Sequence, residues 1–259
     1  MFPTLVVQDL DLRFGRIEAL SNVSFTVDPG QLFAVIGPNG AGKSSLLNVL
    51  TRMYDATSGR VEWRGEDLLR LRPRQLSQLG VVRSFQNLGL FPGLSVLENV
   101  LVGRHHLMRS GSLSNAFALP SSRRQEQMHR EAAYDALDLL DMRRHAHDAV
   151  HTLPYGLQKR VELARCMAGE PELLLLDEPV AGMNASERSE VTELIQRVHR
   201  QHDMTVVLVE HDMGMVMQVA ERILVLDFGH VIAIGKPQEV QKDPNVVRAY
   251  LGEEAEVLS

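Results

Sequence analysis

The sequence predicts an α/β fold: a mostly parallel sheet covered by helices, flanked by a small N-terminal antiparallel β-subdomain and interrupted by an inserted helical subdomain. Three observations predict it. Leu173-Leu174-Leu175-Leu176 and Thr205-Val206-Val207-Leu208-Val209 are continuous apolar runs, the pattern of parallel strands buried on both faces. Leu32-Phe33-Ala34-Val35-Ile36 is a third such run, followed directly by a glycine-rich loop and a helical pattern. Residues 87–152 show helical spacing and no strand signal. A chain of 259 residues is ample for one such core.

Each element has its own justification. Leu5-Val6-Val7, Leu10, Leu12 and Phe14 alternate in strand fashion until Gly15 breaks the run. Val23–Val27 reads as a strand ending at the turn Asp28-Pro29-Gly30, and Gly59–Arg64 as a strand ending at Gly65-Glu66-Asp67. These pieces make the antiparallel sheet. After the glycine loop, Leu46, Leu47, Leu50 and Met53 fall at helical spacing. The insert opens with Leu88, Leu90, Phe91, Pro92 and Leu94, then becomes helical over Val96–Val102. Arg109–Ser122 is rich in Ser, Gly and Ala and reads as a loop or broken helix. Arg123–Met142 reads as an amphipathic helix with Met128, Ala132, Ala136, Leu139 and Leu140 on one face. Ala185–His202 is helical between two strands. Ile223–Leu226 and Val231–Ile234 flank Asp227-Phe228-Gly229-His230, a hairpin signal. Residues 236–259 read as a C-terminal helical tail.

The loop after Ile36 carries chemistry. Gly37-Pro38-Asn39-Gly40-Ala41-Gly42-Lys43-Ser44 fits G-x-x-x-x-G-K-[ST], between a strand and a helix as that pattern requires. Glycines let the backbone approach an anion closely, and N–H groups at a helix start can surround it. Lys43 would reach the outer phosphates of a nucleoside triphosphate, Ser44 would ligate Mg²⁺, and Ser45 continues the loop into the helix. The core is therefore expected to be that of a P-loop NTPase. Four aliphatic residues then lead into Asp177-Glu178-Pro179, placing two carboxylates at the carboxyl end of a central strand, where ligands of open α/β sheets bind. Asp177 suits the metal, directly or through water, and Glu178 suits the deprotonation of an attacking water. His211 follows another buried strand, where its imidazole could reach the γ-phosphate.

Composition narrows the rest. Hydrophobic content of 44% and charged content of 23% describe an ordinary globular protein. No apolar run approaches the ~18 residues a bilayer span needs, and no secretory signal is read at the N-terminus. A single cysteine, Cys166, allows no internal disulfide, fits a reducing cytosol, and sits where a buried helical position is expected. The net charge of −6 argues against broad nucleic-acid binding. Arg70/Arg72/Arg74, Arg123/Arg124 and Arg143/Arg144 read as solvated faces and local salt bridges.

With these residues in place, the chain resembles the ATPase subunit of an ATP-binding-cassette (ABC) transporter across nearly all of its length, so 1–259 is expected to be one nucleotide-binding domain with 87–152 as its helical subdomain. The resemblance implies that Phe14 stacks on adenine, that Gln86 joins Mg²⁺ to the helical subdomain, and that His211 is the switch histidine. It also implies that Leu153–Gln158 is the signature segment, with Tyr155, Gly156 and Leu157 facing ATP held by a partner subunit. Two departures stand out. Leu153-Pro154-Tyr155-Gly156-Leu157 lacks the usual signature serine, and Asn184 in Ala181-Gly182-Met183-Asn184 replaces the usual aspartate of the interface loop. Both, with the tail Asp243–Gly252, are similar to the branched-chain and polar amino-acid importer subgroup.

That likeness implies ATP and Mg²⁺ as ligands, a second ATPase subunit (a copy or a sister chain), two membrane permease subunits, and indirectly an extracytoplasmic binding protein. It implies a peripheral location on the cytoplasmic face of the inner membrane. Branched-chain amino acids are the first expected solute, with urea, short amides and other small amino acids behind. Two other classes stay open: a soluble cassette ATPase acting in DNA repair or on ribosomes, and a nucleotide-binding regulator with degraded catalysis.

Overall fold

The computed structural model describes residues 4–84, 88–108 and 120–257, with side chains over 4–84, 88–108 and 124–250. In chain order the N-terminal half contains β1 (Leu5–Phe14), β2 (Ile17–Val27), β3 (Leu32–Ile36), α1 (Lys43–Leu50), β4 (Ser58–Trp63), β5 (Glu66–Asp67), α2 (Pro73–Gln78) and β6 (Val81–Arg83). The helical insert contributes α3 (Val96–Gly103) and α4 (Pro120–Leu139), and α5 (Tyr155–Ala168) follows it. The core then resumes with β7 (Leu173–Asp177), α6 (Ala185–His202), β8 (Thr205–Val209), α7 (Met213–Val219), β9 (Arg222–Asp227) and β10 (His230–Gly235). A helical tail of α8 (Pro237–Val240) and α9 (Pro244–Val257) closes the chain.

Two sheets form. The antiparallel sheet has order β2-β1-β4-β5, as the alternating N-terminal pattern predicts. The larger sheet has order β10-β9-β3-β8-β7-β6 and is parallel except for the β9-β10 hairpin. That hairpin turns on Phe228 and Gly229, both at positive φ (43° and 80°), which fits a two-residue turn matched to strand twist. β6 is an edge strand that sequence reading left unassigned. Only three residues long, it offers too short a run for periodicity to register.

Side-chain alternation shows why the parallel strands read as unbroken apolar runs. Phe33, Val35, Leu173, Leu175, Val207 and Val209 face a core shared with α1 and the antiparallel sheet. Leu174, Leu176, Val206 and Leu208 face the opposite core, shared with α5 and the insert helices. Both faces are covered by apolar side chains, so polar residues fall at the strand ends, as Thr205 and Asp177 do.

In the insert, α3 begins at a capping box. The Ser95 hydroxyl accepts from the Glu98 N–H, and Glu98 accepts from the Ser95 N–H (2.8 Å). The α4 helix starts at Pro120, three residues before its expected start; of its expected apolar face Ala136 and Leu140 are buried and Leu139 packs against the core, but Met128 is not part of it. Met128 is 52% exposed, and the buried face runs His129, Ala133, Ala136, Leu137 and Leu140. Met53 is likewise exposed, because α1 ends at Leu50 and the chain turns before a further helical turn can bury it. Of the segment Arg109–Ser122, expected to be a loop or broken helix, residues 109–119 lie outside the described residues. Two arginines of the basic clusters pair locally, Arg70 with Asp67 and Arg143 with Asp138.

His129 is the unexpected member of the α4 face. Arg104 Nε donates to its Nδ1 at 3.1 Å, while Arg104 also reaches the Ala168 carbonyl at 2.8 Å and Glu170 at 2.9 Å. Nδ1 must therefore be an unprotonated acceptor. Burial, and then the Arg104 charge, hold the His129 pKa below the ordinary histidine value. A lowered folded-state pKa means that the unfolded chain binds the proton first. This contribution is fully present above the ordinary histidine pKa and is lost as pH falls from there through the lowered folded-state pKa. Thermal unfolding followed by circular dichroism should show a lower melting temperature at pH 5.5 than at pH 7.5. The drop should shrink in His129→Gln, which keeps an acceptor for Arg104 without a titratable ring.

Candidate functional site

The sheet order places β3, β8 and β7 side by side and parallel, so their carboxyl ends open on one edge. From β3 emerges the loop Gly37–Gly42, from β7 the pair Asp177-Glu178, and from β8 Glu210-His211. The register sets Asp177 beside Val209 and Val35 beside Val209 on the other side. Residues far apart in sequence thus meet at one rim.

The loop is shaped by its glycines. At Gly37 (φ +150°) a Cβ would stand 2.1 Å from the Leu226 carbonyl oxygen, and at Gly42 (φ +103°) 2.6 Å from that of Ala19. Neither place admits a side chain. Lys43 is buried, and its Nζ donates to the carbonyls of Gly37 (2.6 Å) and Pro38 (2.7 Å), which sets the ammonium inside the loop. Gly42 caps α1 without a side-chain bond, and the first turn carries no acidic residue. The positive end of the helix dipole is left for an anion. Asn39 and Gly40 are exposed, Ala41 is buried, and Ser44 and Ser45 stand at the accessible start of α1.

Asp177 is 2% exposed. Its Oδ2 accepts from Arg83 Nη2 at 2.8 Å and its N–H donates to Ser84 Oγ at 3.1 Å, while its buried Oδ1 has no hydrogen-bond partner among the described residues. An orphaned, buried carboxylate oxygen is costly unless a cation meets it. Arg83 also donates to Asn48 Oδ1 (2.7 Å) and Thr51 Oγ1 (3.1 Å) on the helix behind the loop. Arg83 carries no sequence signal for this role, since a lone charge on a three-residue strand forms no pattern.

Glu178 follows in the left-handed region (φ +47°), with its N–H donating to the Val209 carbonyl at 2.8 Å. A non-glycine residue holds that conformation only where its surroundings enforce it. His211 is 58% exposed on its side chain, with Nδ1 3.8 Å from Glu178 Oε1 and 3.7 Å from Glu210 Oε2, both too long for hydrogen bonds. Glu210 is fully buried, and burial pushes its pKa up against the opposing pull of three backbone N–H groups. Phe14 is 45% exposed and meets Tyr54 edge-on, with ring centroids 5.0 Å apart. Gln86 lies outside the described residues.

The segment Leu153–Gln158 forms the start of α5. Pro154 is its N-cap, and its carbonyl accepts from the N–H groups of Leu157 and Gln158, both at 3.0 Å. Proline costs little there because a first-turn N–H has no helical acceptor. The Tyr155 hydroxyl donates to the Ala181 carbonyl at 3.2 Å, and the ring faces Gly182, so this segment rests on the interface loop of its own chain. Asn184 caps α6 in a capping box with Glu187. Asparagine and aspartate serve equally as N-caps, which explains why the replacement is tolerated structurally. Cys166 is buried on α5 and its thiol is pushed up to about 12, chiefly by burial, so it is inert.

The sequence profile described as ABC transporter matches residues 20–181, more than half of the chain. The chain belongs to the ABC transporter family. It is an ATPase cassette of that family. A second profile, branched-chain amino acid ATP-binding cassette transporter, matches residues 230–256. The chain is 41% identical over 251 residues to LivG of Escherichia coli K12, a high-affinity branched-chain amino acid transport ATP-binding protein, covering 97% of this chain and 98% of LivG. BraF of Pseudomonas aeruginosa, described in the same words, is 39% identical with the same coverage. The crystal structure of the ATP-binding cassette MJ1267 in its ADP conformation superposes with a TM-score of 0.84 at 28% identity, covering 97% of this chain and all of that one. A dimeric post-hydrolysis structure of the cassette MJ0796 bound to ADP and Pi gives 0.74 at 26% identity, with 90% and 98% coverage.

The Arg83–Asp177 pair gives a test. Arg83→Met should leave Asp177 buried without its cation and cost about 3 kcal/mol in urea unfolding. Asp177→Asn in the same chain should restore part of that loss.

Proposed function

We propose that this chain hydrolyses ATP as the motor subunit of an importer for branched-chain or related small amino acids. The observation that carries the reading is the meeting of the glycine loop, Asp177-Glu178 and His211 at adjacent ends of three parallel strands. The solute assignment draws support from the profile match over 230–256 and from the likeness to LivG and BraF.

In this reading the N–H groups of Gly37, Pro38-following Asn39, Gly40, Ala41, Gly42, Lys43 and Ser44 surround the phosphates, Lys43 neutralises their outer charge, and Ser45 completes the helix start. Phe14, buttressed by Tyr54, offers its exposed ring to adenine. The orphaned Oδ1 of Asp177 and the hydroxyl of Ser44 form a hard oxygen donor set that fits Mg²⁺, with Gln86 as a further ligand. When bound there, Mg²⁺ would supply positive charge to offset that of the triphosphate. Glu178 takes a proton from water as the water oxygen bonds to the γ-phosphorus. The bond to the β,γ-bridging oxygen breaks, and ADP leaves with that electron pair. His211 donates to the γ-phosphate and registers its departure.

A second ATPase subunit completes each site through its own α5 start, where Tyr155, Gly156 and Leu157 present backbone N–H groups and the helix dipole in place of a serine hydroxyl. Closure of the pair is driven by ATP because the γ-phosphate is fully partnered only between the two halves. Among the described residues no helix is long and apolar enough to cross a membrane, so transport needs separate membrane subunits. Leu88, Leu90, Pro92, Val150 and Tyr155 line a cavity of about 440 Å³ beside the signature segment, and a short helix from each of two permeases would dock there. Arg165, on α5, donates to the carbonyls of Gly89 (2.5 Å) and Leu88 (3.3 Å), tying that cavity wall to the signature helix. The chain then works on the cytoplasmic face of the inner membrane, with an extracytoplasmic binding protein selecting the solute.

Glu178→Gln provides the test. Steady-state turnover should fall by about 10²–10⁴-fold, the range for loss of a general base. ATP affinity measured by calorimetry should hold, and size-exclusion chromatography should show an ATP-dependent dimer. Unchanged turnover, or loss of ATP binding, would defeat the assignment.

A further inference from the structure

Glu210 has no place in the motifs read from the sequence, and its environment is unlike that of an ordinary carboxylate. It is fully buried at the end of β8. Its Oε1 accepts from the Val180 N–H at 3.1 Å, and its Oε2 accepts from the N–H groups of His211 (2.9 Å) and Asp212 (3.2 Å). Val180 belongs to the turn that carries Glu178 and leads into the interface loop. His211 and Asp212 belong to the turn after the neighbouring strand. One side chain therefore spans the two segments that deliver the proposed base and the proposed switch histidine.

We propose that Glu210 is a positioning residue: its carboxylate clamps the Glu178–Val180 turn to the His211–Asp212 turn, so that both groups meet the γ-phosphate in one fixed geometry. The inference rests on the function proposed above. A helix-capping role does not account for the arrangement, because α7 already has Asp212 as its N-cap, with Oδ1 accepting from Met215 N–H at 2.9 Å. Nor does an ion pair with a lysine or arginine. Among the described residues the His211 ring is the only basic group within 4 Å of this carboxylate. A buried carboxylate so placed is costly, and the three charge-assisted bonds from two loops are what offset it. Support for the left-handed Glu178 is the gain. Its own N–H is held by Val209, and the amide two residues on is held by Glu210, so the turn is pinned on both sides.

The chemistry of the clamp makes glutamine a sharp probe. Glutamine has nearly the same shape, and its carbonyl oxygen can serve one turn. Its NH₂ is a donor and cannot accept from the N–H of the other. Glu210→Gln must release one of the two turns.

The experiment measures ATP turnover of the full-length chain as wild type, Glu210→Gln, His211→Ala and the double variant. Glu210→Gln should lower kcat by about tenfold or more with KM for ATP changed by less than about twofold, the signature of lost transition-state geometry. In the His211→Ala background the same change should cost less than about threefold, because coupled groups are not additive. Hydrogen exchange should quicken selectively over 178–183 or 210–213. If Glu210→Gln does not fold, Glu210→Asp keeps the charge but shortens the reach by one methylene, and the same kinetic pattern is expected at smaller size. Turnover within about twofold of wild type, a full additive loss in the double variant, or a KM rise with unchanged kcat would overturn the inference. If His211→Ala lowers turnover while Glu210→Gln does not, only the inference fails. If His211→Ala leaves turnover intact, the role given to His211 falls and takes the inference with it.

Discussion

Parallel pairing of β3, β8 and β7 is the constraint from which the site follows. Parallel strands share a direction, so every carboxyl end in the set opens on the same edge. The Val35–Val209 and Val209–Asp177 register holds the phosphate loop, the acidic pair and the histidine turn at one level. A slip of one residue would turn the side chains of a strand to the opposite face and set two cores at fault. Hydrophobic burial on both faces thus enforces the alignment of polar groups that carry no hydrophobic energy themselves.

Around that edge, buried charges do the aligning. Arg83 takes one oxygen of Asp177 and links it to Asn48 and Thr51 on the helix behind the phosphate loop. Glu210 takes three N–H groups from the two turns flanking His211 and Glu178. These ionic anchors are poor sources of stability, since desolvation cancels most of their attraction. Their value lies in direction: each has few satisfying geometries, so each fixes where a loop can sit. The strained φ of Glu178 is consistent with a turn held from both ends.

The helical lobe connects this edge to a surface. Its α5 begins at the signature segment, leans on the interface loop through Tyr155 and Ala181, and reaches the Leu88–Gly89 backbone through Arg165. One helix of 14 residues therefore runs from the Pro154–Tyr155 turn to a wall of the cavity beside it. The missing signature serine and the asparagine at 184 leave this framework whole, because Pro154 and Asn184 are both suited to helix starts.

Much of this was legible without coordinates. Gly37–Ser44 speaks through a spacing that backbone chemistry demands, Leu173–Glu178 through an apolar run ending in acids, and the β9-β10 hairpin through Asp227–His230. On α4 the expected face holds at Ala136, Leu139 and Leu140 but not at Met128, because polarity ranks the methionine inside, whereas Arg104 makes a buried partner for the adjacent His129. β6, Arg83 and Glu210 were silent, since a three-residue edge strand has no period and a lone charge has no pattern. Local order along the chain determined the elements, the phosphate loop and the family. Which strand lies beside which, and hence which charges clamp which turns, was decided only in three dimensions, because those contacts join residues about 30 to 95 positions apart and carry no signature in either segment alone.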